Sequence, residues 1–133
     1  MHYTRIVTSF LSNDEKYLIL KRSDSVKSMQ GLWGGVSGII EGSEKPLQRA
    51  KIEIFEETGI LENKISLAKT AEEMQVTSQY SNHGWIIHPF LFTTNEPKIK
   101  LNWENSEYKW IIPNEISKYK TVPSLDKVLG RLL

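Results

Sequence analysis

The sequence has no cysteine. Disulfides, thiolate metal sites, iron–sulfur clusters and cysteine nucleophiles are therefore excluded. It also lacks an excess of charge of one sign: 17 Lys and Arg against 16 Asp and Glu leave a net charge of +1 at pH 7. Nothing global in that balance favours a nucleic acid or a membrane surface as partner. Long hydrophobic runs are missing too. The opening stretch MHYTRIVTSFLSNDEKYLILKR is broken by polar residues every few positions, unlike the apolar core of a secretory signal. No later stretch approaches the ~18 apolar residues of a membrane span. The expectation is a cytoplasmic protein with no membrane and no stable nucleic-acid partner.

What is present suits one domain over residues 1–133. Of these residues 39% are hydrophobic and 25% charged, enough for one core and too apolar for wholesale disorder. Strands are expected at Arg5–Leu11, Tyr17–Leu20, Ile65–Ala68, Glu73–Val76, Gly84–Thr94 and Tyr108–Ile112, where β-branched and aromatic residues gather. Asn13-Asp14 is a turn signal, and Ser23–Gln30 reads as a loop. Gly31, Gly34, Gly35, Gly38 and Gly42 mark tight turns or close backbone approach. A short helical turn is expected at Pro113–Lys118 and a helix at Ser124–Leu132, where Leu125, Val128, Leu129 and Leu132 recur at helical spacing. Strands and helices in this order predict a mixed α/β or α+β layered domain.

Ser43–Thr58 is the clearest helix, with Ser43 as its cap, Glu44 at its positive end, Pro46 in its first turn and Gly59 as its stop. Glu53, Glu56 and Glu57 are spaced i, i+3, i+4 and share one flank, beside an apolar stripe of Leu47, Ala50 and Ile54. Three like charges in the last turn oppose helix stability, both by mutual repulsion and against the macrodipole. A solvated acidic face would need no further explanation. A hard divalent cation held by carboxylate oxygens and shared with phosphates would compensate the repulsion. The glycine-rich loop just upstream, with backbone amides free to approach a phosphate, favours the second reading.

Gly38, five residues, Glu44, seven residues, then Ile52-Glu53-Ile54-Phe55-Glu56-Glu57-Thr58-Gly59-Ile60 resembles the Nudix box of the MutT-like hydrolases, G-x5-E-x7-R-E-U-x-E-E-x-G-U with U a bulky aliphatic residue. The box spans residues 38–60 and departs from the pattern once, with Ile52 where the family has arginine. Flanking similarity extends through Leu18–Arg22, Trp33, Glu41 and the segment from Trp103-Glu104 to Glu107–Ile111. The resemblance implies an α+β fold of the Nudix type, an α/β/α sandwich with a curved mixed sheet between helices. It implies hydrolysis of a nucleoside diphosphate linked to another group, by water attacking phosphorus with magnesium, or manganese, as cofactor. Carried over by position, Glu53, Glu56 and Glu57 are metal ligands together with the Gly38 carbonyl. Glu53, or a glutamate outside the box, acts on the water. Glu104 is favoured over Glu107 for that outside role. A small nucleotide or nucleotide-like molecule is the expected partner, with the protein a monomer or homodimer.

The resemblance implies that the family arginine positions a catalytic glutamate by an ion pair, which Ile52 cannot do; Arg49, i,i+4 from Glu53 on the same face, is expected to replace that guanidinium in part. Lys51 points elsewhere on the wheel. Val36-Ser37-Gly38 also departs from the Pro-Gly-Gly of many relatives but keeps the last glycine. Arg22, Trp33 and Arg49 are the candidate substrate-binding residues, Arg22 as a phosphate contact; Trp33 and Trp85 are candidates for stacking on a base, against core or rim packing. Trp103 and Trp110 read as packing, and His88 as a structural histidine. Glu44 is too far along the helix for the same ion and is expected to serve structure. Two rivals remain: an isoprenoid diphosphate isomerase on the same scaffold, disfavoured by the short cysteine-free chain, and a non-catalytic nucleotide-sensing Nudix-like domain, disfavoured by the four retained box glutamates. Specificity is expected in loops such as Val76–Gly84.

Overall fold

The computed structural model describes residues 2–77 and 82–133. Eight strands among them join into one mixed sheet: β1 (His2–Asn13), β2 (Lys16–Arg22), β3 (Trp33–Gly34), β4 (Val36–Ile39), β5 (Ile65–Thr70), β6 (Met74–Thr77), β7 (His83–Thr94) and β8 (Asn105–Ile111). Helix α1 (Pro46–Thr58) and helix α2 (Leu125–Leu132) cover its two faces, giving an α+β sandwich. Short 3₁₀ segments lie at Glu62–Lys64 and Pro113–Lys118, the second where a helical turn is expected.

The centre of the sheet is the parallel pair β1–β7, in register from His2 opposite His83 to Ser12 opposite Thr93. All other pairings are antiparallel: β4 and β2 on β1, β3 and β8 on β2, β5 and β6 on β7. Asp14 and Glu15 both have positive φ, 53° and 64°, in the tight β1–β2 turn. Pro89 lies inside β7, where a missing N–H would break an antiparallel ladder. The chain answers by changing partners there: β5 pairs with Phe90–Thr94 and β6 with Gly84–Ile87.

Alternation along the strands divides the core in two. Val7, Leu11, Leu18, Leu20, Phe90 and Phe92 pack towards Ala50 and Ile54 of α1. Phe10, Ile19, Ile87, Leu91 and Ile111 pack towards Leu125, Val128, Leu129 and Leu132 of α2. Both faces are covered here, which explains the uninterrupted apolar run Leu18-Ile19-Leu20 in β2, buried on both sides.

The start of α1 differs from expectation. The helix begins at Pro46, with Lys45 at its N-cap position and no side-chain cap, so Ser43 does not cap it. Proline is most at home in the first turn, and here it sets the first helical residue. Glu44 instead lies outside the helix, where its Oε1 accepts the Glu41 N–H at 2.7 Å. The other end matches: Gly59 takes the left-handed conformation, φ 76°, and its N–H donates to Phe55 O. Trp103 also departs from expectation. It is 65% exposed, whereas Trp110 is half-buried and donates its indole N–H to Pro97 O.

Candidate active site

Helix α1 presents a mixed face to the sheet. Its buried residues are Ala50, Glu53, Ile54, Glu57 and Thr58. Two of these are carboxylates, carried inward because i,i+4 spacing places Glu53 and Glu57 on the same side as the apolar anchors Ala50 and Ile54. The i+3 residue, Glu56, stays exposed at the rim. The turn is fixed at its end by Thr58, whose hydroxyl donates to Ile54 O at 2.6 Å.

Glu53 and Glu56 border a cleft of about 770 Å³. Its lining combines the charged residues Glu41, Glu53, Glu56, Glu104, Arg22 and Arg49 with the apolar residues Ile6, Val76, Trp85, Ile87, Val122 and Leu125. Gly38 lies on the floor against Glu53, and a β-carbon there would collide with the Glu53 carboxyl. Thr8 and Ser37 join hydroxyls at 3.1 Å on the same floor.

The electrostatics are those of crowded, buried acids. Burial, then the charges of Glu56 and Glu104, push Glu53 up to about 7. Burial, then Glu104 and Glu53, hold Glu57 well above the usual carboxylate range, while a hydrogen bond from Asn105 and the charge of Arg22 act against this. Asn105 Nδ2 donates to Glu57 Oε1 at 3.1 Å. The remaining oxygens, Glu53 Oε2 and Glu57 Oε2, are buried without a hydrogen-bond partner. Buried carboxylate oxygens without partners are costly. They are the donor type that a hard divalent cation takes. The carboxylates are not converged on one point, since among the described residues no group of three His, Asp or Glu side chains is assembled to hold an ion. The donor chemistry nevertheless fits: two buried oxygens that accept no hydrogen bond, the exposed Glu56, and Glu104 in the same cleft lining.

Of the residues singled out from sequence, the structure brings Glu53, Glu56, Glu104, Arg22, Arg49 and Gly38 to one cleft, with Glu57 buried behind it. Trp85 is there too, with its ring edge-on to His83 at 5.1 Å between centroids. Trp33 is not. It is 8% exposed, packs edge-on to Tyr119 at 5.3 Å, and lies under the ammonium of Lys109. Its backbone serves the cleft indirectly, through hydrogen bonds with Lys120 O and the Val122 N–H. Arg22 donates from Nε and Nη2 to Ser28 O, which fixes its guanidinium at the cleft edge. Glu107 pairs instead with Lys21 at 3.3 Å on the surface, and Lys51 with Glu62 at 3.0 Å. His88 is half-buried, 3.5 Å from Glu73, and burial lowers its pKa. Asn105 had no signal in the sequence, because its role depends on β8 meeting α1 through the fold. Residues 78–81, in the segment where specificity is expected, lie outside the described residues.

The NUDIX domain family matches residues 2–132, so this chain belongs to the Nudix hydrolases. It is 24% identical over 125 residues to the nucleoside triphosphatase NudI of Escherichia coli, covering 90% of this chain and 89% of that protein. Among solved structures it is similar to a MutT protein from Methanosarcina mazei Go1, with TM-score 0.76 and 22% identity, covering 98% of this chain and 92% of that one. It is also similar to the E. coli dihydroneopterin triphosphate pyrophosphohydrolase, with TM-score 0.75 and 19% identity, covering 98% and 96%. The class is that of enzymes that cleave phosphoanhydrides. Among the described residues no helix is long and apolar enough to cross a membrane.

Proposed function

We propose that this Nudix hydrolase cleaves a diphosphate linkage in a nucleoside diphosphate joined to another group, with Mg²⁺, or Mn²⁺, as cofactor. The observation that carries this reading is the pair of buried carboxylate oxygens of Glu53 and Glu57 that accept no hydrogen bond, beside an acidic cleft that also holds the guanidinium groups of Arg22 and Arg49. Glu53, Glu56 and Glu57, with the Gly38 carbonyl, would hold the cation. When bound, such a cation neutralises phosphate charge and lowers the pKa of water. The chain's own residues do the rest. Arg22, fixed by Ser28, faces the phosphates. Trp85, in the cleft lining, would stack on a base. Glu53 or Glu104 would orient the attacking water and take its proton.

In the same reading the chain forms one Nudix domain, acts in the cytoplasm as a monomer or homodimer, and binds no nucleic acid stably. The name of NudI makes nucleoside triphosphates the first substrates to try. The test is phosphate release from nucleoside triphosphates, sugar nucleotides, dinucleoside polyphosphates and dinucleotide cofactors, with Mg²⁺, with Mn²⁺ and with chelator. Turnover that requires metal and falls by about two orders of magnitude or more in Glu56→Gln supports the reading. Nucleotide binding without turnover on any class overturns it.

A further inference from the structure

Arg49 is not an ordinary surface cation. Its side chain is only 14% exposed. Its Nε and Nη2 donate to the two oxygens of Glu44 at 3.1 and 2.6 Å. Such a two-point pair fixes the plane of the guanidinium as well as its charge. Glu44 is itself anchored, because its Oε1 accepts the Glu41 N–H. The Glu41 carboxylate stands 3.8 Å from Nη2. The remaining nitrogen, Nη1, is thereby directed at Glu53 and lies 3.7 Å from its Oε2.

Glu53 needs such a neighbour. The charges of Glu56 and Glu104 oppose its ionised form, and Gly38 leaves open the space its carboxyl occupies. The residue next to it in sequence, Ile52, lines the same cleft and offers no charge. We infer that Arg49, clamped by Glu44, is the positioning residue of this site and holds the Glu53 carboxylate in the cleft, the task for which this chain has no arginine at position 52. Arg49 acts through Glu53 and needs no contact with substrate. The inference rests on the hydrolase reading, and its test separates the two.

The experiment compares wild type, Arg49→Ala, Arg49→Lys, Ile52→Arg and the double variant Arg49→Ala with Ile52→Arg. Nucleoside triphosphate turnover is followed at saturating Mg²⁺, and Mn²⁺ binding to each protein is titrated by electron paramagnetic resonance. In Arg49→Ala, kcat is expected to fall about tenfold to hundredfold with KM nearly unchanged, as for a misplaced catalytic group. Ile52→Arg in that background is expected to restore most of the loss. Unchanged kcat, or a loss that Ile52→Arg leaves untouched, overturns the inference. Should wild type turn over no substrate, the hydrolase reading falls and the titration still decides the role of Arg49. Lysine keeps the charge but not the fork, so Arg49→Lys is expected to weaken Mn²⁺ about tenfold. Equal affinity, or no Mn²⁺ binding by wild type, overturns the inference.

Discussion

The carboxyl end of Glu53 fills the space into which a side chain at Gly38 would project. Strand β4 and helix α1 are therefore fitted together through a missing methyl group. Gly38→Ala is expected to push the Glu53 carboxylate aside. Gly35→Ala, by contrast, meets the backbone oxygen of Ser9 at 2.9 Å. A flexible carboxyl yields and a strand does not, so Gly35→Ala should cost stability by about 1–3 kcal/mol and Gly38→Ala less. Turnover should show the reverse order, with Gly38→Ala the more damaging. Urea unfolding and phosphate release on the two variants check this, and a larger stability loss in Gly38→Ala contradicts it.

Acid carboxyls with raised pKa make the metal-free protein pH-sensitive in a defined direction. Glu53 rises from an ordinary 4.5 to about 7, and Glu57 rises as well. Between these values the folded state binds more protons than the unfolded state, so stability falls as pH increases. The contribution is full below 4.5 and is lost as pH climbs through about 7. Urea midpoints measured in chelator at several pH values should decline across that window. Glu53→Gln should flatten the decline; a profile rising from pH 5 to 7 would show the assignment to be wrong.

Divalent cation should reverse that loss. Binding to the folded state alone stabilises by about 2.7 kcal/mol at a hundredfold excess over Kd. Mg²⁺ or Mn²⁺ is therefore expected to raise the Tm at pH 8, with a smaller rise in Glu57→Gln, where an inward carboxylate oxygen becomes an amide. An equal rise in that variant would remove Glu57 from the ligand set.

Trp85 is half-buried and lines the cleft together with Val76 and Ile87. Loss of one aromatic stacking face costs about 1–3 kcal/mol of binding. Trp85→Leu should therefore raise KM by roughly tenfold with kcat nearly intact. Steady-state kinetics on the best substrate of the panel decide this. A fall in kcat at constant KM would place Trp85 near the reacting phosphates instead.

How legible these features were in the sequence depended on how local their causes are. The acidic flank of α1 and its stop at Gly59 follow from spacing and backbone preference within a few residues. So does the Arg49–Glu53 approach, which needs only one helical turn. The start of α1 falls later than expected because Ser43 and Pro46 both favour a helix entry, and proline prevails. Trp33 departs from expectation because an aromatic beside a glycine loop has the same local signature in a cleft or in a core. What decided between them was Tyr119 and Lys109, far along the chain. Asn105 is a partner to Glu57 across 48 residues, a relationship no local pattern carries.

The parallel β1–β7 ladder joins residues 81 apart, from His2 with His83 to Ser12 with Thr93. Closing a loop of that length costs about 4 kcal/mol of chain entropy before any contact repays it. Helix α1 lies inside that loop. During synthesis β1 emerges first and must wait for most of the chain before its central partner exists. Parallel pairings of this separation fold slowly and leave strand edges exposed meanwhile. The acidic helix thus spends its early life unshielded by the strand that completes the sheet beneath it. A chain cut short of Gly84 would carry the whole Nudix box and yet have no central pair on which to seat it.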